Sequence, residues 1–182
     1  TYIEGQLTAN GFPAKEVADK KYILWWQNDS NAIWARDFGP VSIIGTAGAS
    51  KDVLSFVDFR YYHTRVLDDE VPTDLAKEWG INVFRPDLDF EGGNFMNTSD
   101  GLCAATRGVL WYNLQFSQSA VEKIFTDYLG CKTSFFPAPM TGGVIAHIDM
   151  FSKYSSDTKV LVGEYTAKQH AGNAKVLDAN AA

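Results

Sequence analysis

Cysteine is scarce in this chain: Cys103 and Cys131 are the only two in 182 residues. Two cysteines are expected to form neither a disulfide framework nor a metal cluster. Cys103 lies within Leu102-Cys103-Ala104-Ala105, and Cys131 follows a helix-ending glycine, so both read as core residues rather than nucleophiles. Basic residues are outnumbered, 16 Lys and Arg against 22 Asp and Glu, for a net charge of −6. That balance argues against nucleic acid and, through long-range steering, mildly favours a cationic partner. No apolar run approaches the roughly 20 residues of a membrane-spanning helix, so no membrane partner is expected. No Pro/Ser-rich linker or charge block divides the chain, and residues 1–182 are read as one domain. No signal peptide is visible, but Thr1 does not look like a native start, so removal of a targeting segment is an open expectation. The compartment stays undecided between bacterial cytoplasm and a secreted or periplasmic location.

What is present is an ordinary globular composition, 46% hydrophobic, with a high aromatic share of 14%. Residues 1–20 suggest a partial helix, followed by a strand from Tyr22 to Trp26. Trp34-Ala35-Arg36-Asp37-Phe38-Gly39-Pro40 then forms a loop closed by a Gly-Pro turn before a strand from Val41 to Ile44. Gly45 to Asp52 reads as a hairpin loop, and Val53 to Phe59 as the next strand. Pro72 is expected to open a helix through Leu75, Ala76 and Trp79, which Gly80 ends. A strand from Ile81 to Phe84 follows, and Gly101–Ala105 with Val109–Tyr112 reads as a hairpin. Ser117 or Ser119 caps a helix with an apolar face at Val121, Ile124, Phe125, Tyr128 and Leu129, ended by Gly130. Strands at Thr133–Phe136 and Lys159–Gly163 and a helical tail from Ala167 complete the reading.

Three constellations could carry chemistry. A carboxylate beside an indole, as at Trp34 and Asp37, suits a flat cation such as guanidinium; a buried Arg36–Asp37 pair with Trp34 in the core is the plain alternative. Glu91-Gly92-Gly93-Asn94 offers a carboxylate and an amide on a glycine turn that a ligand could approach closely, although such a stretch alone is more often a tight turn than a site. His147-x-Asp149, read on one face of a strand, pairs an imidazole with a carboxylate, which raises its pKa and suits proton transfer. A structural or metal-binding histidine remains the competing reading. Asp37, Glu91 and His147 are 54 and 56 positions apart. That spacing suggests a repeated strand–strand–helix–strand unit, each delivering a polar loop to one central cavity.

Trp-x-Arg-Asp-Phe-Gly-Pro at 34–40, Asp-Asp-Glu-Val-Pro at 68–72, Glu-Gly-Gly-Asn at 91–94 and His-Ile-Asp at 147–149, in this order, resemble the Porphyromonas-type (bacterial) peptidylarginine deiminases, relatives of the agmatine deiminases in the guanidino-modifying (pentein) superfamily. The resemblance implies a five-bladed α/β propeller of strand–strand–helix–strand units. About half of it would be here, in units of roughly 1–60, 61–115 and 116–170, with 171–182 starting the next. It implies hydrolysis of a guanidino group to a ureido group with loss of ammonia and no cofactor or metal. Carried over, Asp37 and Asp149 would bind the guanidinium and Trp34 would line the pocket, with Glu91 and Asn94 also on the substrate side. His147 would be general acid and base. A cysteine thiolate would form a covalent thiouronium intermediate, but in the family it belongs to the fifth unit, beyond Ala182. The chain is therefore expected to be a fragment, or a relative without the nucleophile, inactive by itself.

Phe38, Val41-Ser42-Ile43 and the 68–72 stretch look more like the peptidylarginine type than the agmatine type. Arg65 could meet a substrate carboxylate, or simply pair with Asp68 or Asp69 on the surface. Agmatine remains the alternative substrate, and a non-catalytic guanidinium-binding domain the alternative function. A metal-dependent hydrolase using His147, Asp149, Asp37 and Glu91 is a weaker third reading, because one histidine among three carboxylates suits no strong zinc site. An incomplete propeller would expose strand edges, which leaves homo-oligomerisation open.

Overall fold

Strands and helices alternate in a repeating order along the chain, and that order decides where the polar loops go. The computed structural model describes residues 1–19, 26–47, 50–142 and 145–182. Two short helices, α1 (Tyr2–Ala9) and α2 (Ala14–Ala18), stand where one partial helix is expected. They are separated at Gly11, whose φ of 94° is open to glycine and strained for other residues. Thr1 caps α1, accepting from the Glu4 N–H, while the Glu4 side chain returns to the Thr1 backbone. The strand expected at Tyr22–Trp26 lies outside the described residues except for Trp26.

A one-turn helix, α3 (Ala35–Phe38), leads into β1 (Val41–Ala47), which pairs antiparallel with β2 (Ser50–Val57). The helix α4 (Val66–Trp79) crosses to β3 (Asn82–Phe84), parallel to β2. β2 is therefore the central strand, and Ser55, Phe56 and Val57 are all buried, as a strand covered on both faces requires. The same order follows again. β4 (Met96–Asn97) pairs antiparallel with β5 (Leu102–Ala104), two helices follow, α5 (Gly108–Tyr112) and α6 (Gln118–Leu129), and β6 (Thr133–Phe135) returns parallel to β5. A third hairpin, β7 (Ser152–Ser156) with β8 (Lys159–Val162), precedes α7 (Ala167–Ala181). The hairpins begin at Val41, Met96 and Ser152, in step with the spacing of the polar loops.

Several expectations differ. The hairpin loop expected over Gly45–Asp52 is shorter, since β1 runs on to Ala47 and β2 begins at Ser50. Pro72 does not open α4 but sits inside it, because tertiary contacts start the helix earlier. The Asp68 carboxylate accepts from the N–H groups of Asn31 and Ala32 (2.6 and 3.1 Å), and Asn31 Oδ1 accepts from the Leu67 N–H. Val109–Tyr112 is helix, not strand, and the partner of β5 is β4. A short apolar run does not distinguish the two by periodicity. Here Asn113, fully buried, decides by donating to the Val109 carbonyl and to Asp89 O while accepting from Asp89 N–H. The cysteines are core residues, as expected, but they are bonded to each other. Parallel pairing of β5 with β6 brings their Cα atoms to 5.7 Å, a proximity that a separation of 28 residues does not announce.

The expected amphipathic helix forms as α6, capped by Ser117 and ended by Gly130 in the left-handed region. Its Phe125 is fully buried and meets the rings of Phe90, Phe95 and Phe136 at 5.2 to 6.0 Å. Burying such a side chain contributes about 1.5–3 kcal/mol. Phe90 and Phe95 flank Glu91–Asn94, so the core holds both ends of the polar turn. A second cluster, Met96, Ala104, Ile148, Phe151 and Leu177, supports the loop that carries His147.

Candidate active site

Asp37 is delivered by α3, which is pressed against the Gly92–Asn94 turn. A β-carbon on Gly92 would overlap the Arg36 carbonyl, and Arg36 Nη2 donates to Phe95 O at 3.1 Å. Arg36 and Asp37 are thus not a mutual pair, and Trp34, 56% exposed, is not core. Gly93 lies between Asp37 and His147. An added β-carbon there would stand 2.6 Å from Asp37 Oδ1 and nearer still to His147 Nδ1. At Gly93 the close approach that a glycine turn permits is used by the site's own side chains.

Asn94 is buried, and its Oδ1 accepts from Thr106 N–H (2.8 Å) and Ile148 N–H (3.2 Å). It therefore ties the Glu91 turn to the His147 loop. Thr106 Oγ1 donates to Ala146 O, and Gly108 leaves no room for a β-carbon beside Ala146. His147 is held from both sides before any side-chain pairing is considered.

His147 and Asp149 lie not on a strand but before and within a 3-10 turn, Ile148–Met150. The imidazole nonetheless gathers the carboxylates. Nε2 is 3.1 Å from Glu91 Oε2, and Nδ1 is 3.6 Å from Asp37 Oδ1 and 4.0 Å from Asp149 Oδ1. His147 is 6% exposed and Asp149 42%. Burial alone would lower the pKa of His147, but the hydrogen bond and charge of Glu91, then Asp37 and Asp149, outweigh it and raise the value. Burial raises the Asp37 carboxyl, helped by Glu91 and Asp149 and opposed by His147 and the Gly93 N–H.

A cavity of about 460 Å³ reaches Glu91, Asn94 and His147, walled by Tyr61, Tyr62 and Tyr112. A second, of about 310 Å³, reaches His147 from the side of His170 and Asn173. Trp34 lines neither. Arg65 does not line them either; it donates to Tyr61 Oη at 3.0 Å and lies over the Tyr62 ring at 5.2 Å. Its expected surface partners are used elsewhere: Asp69 accepts from Tyr61 N–H and pairs with Arg85, and Asp68 holds Asn31 and Ala32. Asp68 and Asp69 are therefore scaffold for the loops around the site. Tyr62, which no sequence pattern singled out, donates to Glu91 Oε1 at 2.7 Å.

One ligand atom from each of Asp37, Glu91 and His147 falls within 4.8 Å of the others. Such an oxygen-rich set could hold a hard divalent cation, whereas a single nitrogen donor suits zinc poorly. The same atoms offer planar acceptors and an excess of negative charge to an organic cation.

The fold is that of known deiminases. Agmatine deiminase of Enterococcus faecalis superposes with a TM-score of 0.74 at 20% identity, covering 97% of this chain and 49% of that one. A substrate-bound C. jejuni agmatine deiminase gives 0.75 at 17% identity, covering 92% and 53%. The repeated α/β units thus have the fold of those proteins, of which this chain spans about half. The family profile of the Porphyromonas-type peptidyl-arginine deiminases matches residues 6–182, and the chain belongs to that family. A Shewanella sp. (strain W3-18-1) protein provisionally named an agmatine deiminase is 23% identical over 171 residues, 84% of this chain and 45% of the relative. The chain spans less than half the length of such curated relatives.

Proposed function

We propose that the protein to which this chain belongs hydrolyses a guanidino group, that of peptidyl or free arginine, to a ureido group with release of ammonia. The observation that carries this reading is the charge imbalance at His147: three carboxylates surround one imidazole, so even protonated it leaves negative charge for a second cation. A guanidinium is planar, permanently charged and rich in N–H donors, which suits spaced carboxylate acceptors. Asp37 and Asp149 would hold its nitrogens, beside His147 Nδ1. A thiolate would attack the central carbon, and ammonia would leave with a proton from His147. Water, deprotonated by the same imidazole, would then resolve the thiouronium intermediate.

Cys103 and Cys131 do not supply that thiolate, being joined to each other in the core. The nucleophile and the closed five-bladed propeller are proposed for the longer protein, of which the two β-β-α-β units and the third hairpin would form part. The family's peptidyl-arginine type supports arginine as substrate; the names of the Shewanella relatives support agmatine as the alternative.

The test has two parts. The natural, uncleaved protein is assayed for ammonia and ureido product with an arginine peptide, free arginine and agmatine. Separately, this chain is titrated calorimetrically with arginine and agmatine, with Asp37→Asn for comparison. Turnover of an arginine substrate, with binding weakened at least about tenfold by Asp37→Asn, supports the proposal. Turnover of agmatine alone reassigns the substrate. Binding without turnover by the uncleaved protein would leave a guanidinium-binding domain, and neither binding nor turnover would end the proposal.

A further inference from the structure

We propose that Tyr62 is a positioning residue: its phenol holds Glu91 in the one orientation that presents the other carboxylate oxygen to His147. The inference rests on the role proposed above for His147 as proton carrier, but the coupling itself can be measured without turnover.

Glu91 uses its two oxygens for different partners, Oε1 for Tyr62 at 2.7 Å and Oε2 for His147 at 3.1 Å. A glutamate side chain has several free torsions, and one hydrogen bond to an imidazole does not by itself define them. Two bonds at opposite oxygens do. The backbone explains why Tyr62 is in place. Arg60 runs beside Leu88–Phe90, donating its N–H to Leu88 O and accepting from Phe90 N–H, so the chain two residues later faces Glu91. The Tyr62 ring is fixed in turn by Tyr61, edge-on at 4.6 Å, and by the Arg65 guanidinium at 5.2 Å. Arg65 also donates to Tyr61 Oη, so one cation braces both rings. The chain of contacts runs Arg65, Tyr62, Glu91, His147, from outside the cavity to the imidazole.

The groups that face His147 are Glu91, Asp37 from α3 and Asp149 from its own turn. Around Glu91 stand the phenols of Tyr61, Tyr62 and Tyr112. Arg60 and His63 line the cavity at Glu91, and His170 the second cavity. Burial, then the hydrogen bond and charge of Glu91, push the Tyr62 phenol well above its ordinary pKa, so it keeps its proton and remains a donor near neutrality.

Removing the hydroxyl should free Glu91 to turn toward the cavity, weakening its hold on the His147 proton. The chain has three histidines, His63, His147 and His170, which makes titration of the imidazole resonances by NMR tractable. Tyr62→Phe keeps the ring and its packing. The expected result is a His147 pKa lower than in the unsubstituted chain, in the direction of that of Glu91→Gln. Arg65→Met, which leaves the phenol but removes its brace, should shift it the same way and less. In the uncleaved protein, Tyr62→Phe should lower kcat about tenfold with KM nearly unchanged and displace the pH profile by the shift seen in the titration. A His147 pKa that is unchanged in Tyr62→Phe would overturn the proposal. So would a rise, which would mean that Tyr62 only withdraws charge from a carboxylate held by other contacts. An uncleaved protein with no turnover would remove the proposed function while leaving the measured coupling to stand.

Discussion

Nε2 of His147 lies 3.1 Å from Oε2 of Glu91, and the pair is almost closed to solvent, with side chains 6% and 13% exposed. With Asp37 and Asp149 on the other side of the ring, the folded state holds the imidazolium more tightly than the unfolded chain does. The raised pKa means stabilisation that is complete below about 6.5 and is lost as pH rises through the folded value. The raised Asp37 carboxyl acts in the same sense at lower pH, since the folded form keeps that proton longer. Stability measured by urea denaturation should therefore fall as pH rises through neutrality, and His147→Gln should flatten the decline. Equal slopes in the two proteins would contradict this account.

Gly93 should tolerate no side chain. A methyl group there would collide with both Asp37 Oδ1 and His147 Nδ1, and the turn cannot retreat because Gly92 already rests on the Arg36 carbonyl. Gly93→Ala should cost about 1–3 kcal/mol of stability and weaken calorimetric binding of arginine or agmatine at least about tenfold. Retention of full affinity would show that the approach of Asp37 to His147 is dispensable.

Asn94 should matter for stability rather than for contact with substrate. Replacing it by alanine leaves the buried N–H groups of Thr106 and Ile148 without their acceptor. Each such loss costs about 1–3 kcal/mol, so the denaturation midpoint should drop clearly. The backbone amides of Ala146–Ile148 should also exchange faster with solvent. Unchanged exchange there would argue that Thr106 and Gly108 hold the His147 loop without Asn94.

The Cys103–Cys131 bond closes a loop of 28 residues that includes α5 and α6. Reduction should destabilise the chain by about 3 kcal/mol, and the double replacement Cys103→Ala, Cys131→Ala should lose at least as much. Thiol titration of this unreduced 182-residue chain in denaturant should find no free cysteine. Neither treatment should abolish guanidinium binding, because the bond lies in the core and not at His147. Loss of binding at full stability would instead point to a thiol in the site.

The sequence by itself determined the identities and spacing of Asp37, Glu91, His147 and Asp149, and the α6 helix with its serine cap and terminal glycine. Those features are local or periodic, and composition and spacing carry them. Tertiary structure decided the partners. Val109–Tyr112 became a helix because Asn113 met Asp89, and Pro72 fell inside α4 because Asp68 and Asn31 anchored an earlier turn. Arg65 left the acids of its own helix for two tyrosine rings, Asn94 turned to backbone N–H groups, and two isolated cysteines met where the α6–β6 connection passes β5. Each of these choices is a contact between residues distant in the chain or a competition among several acceptors. Such contacts are settled by which groups burial brings within hydrogen-bonding or covalent reach, and that is a property of the packed molecule.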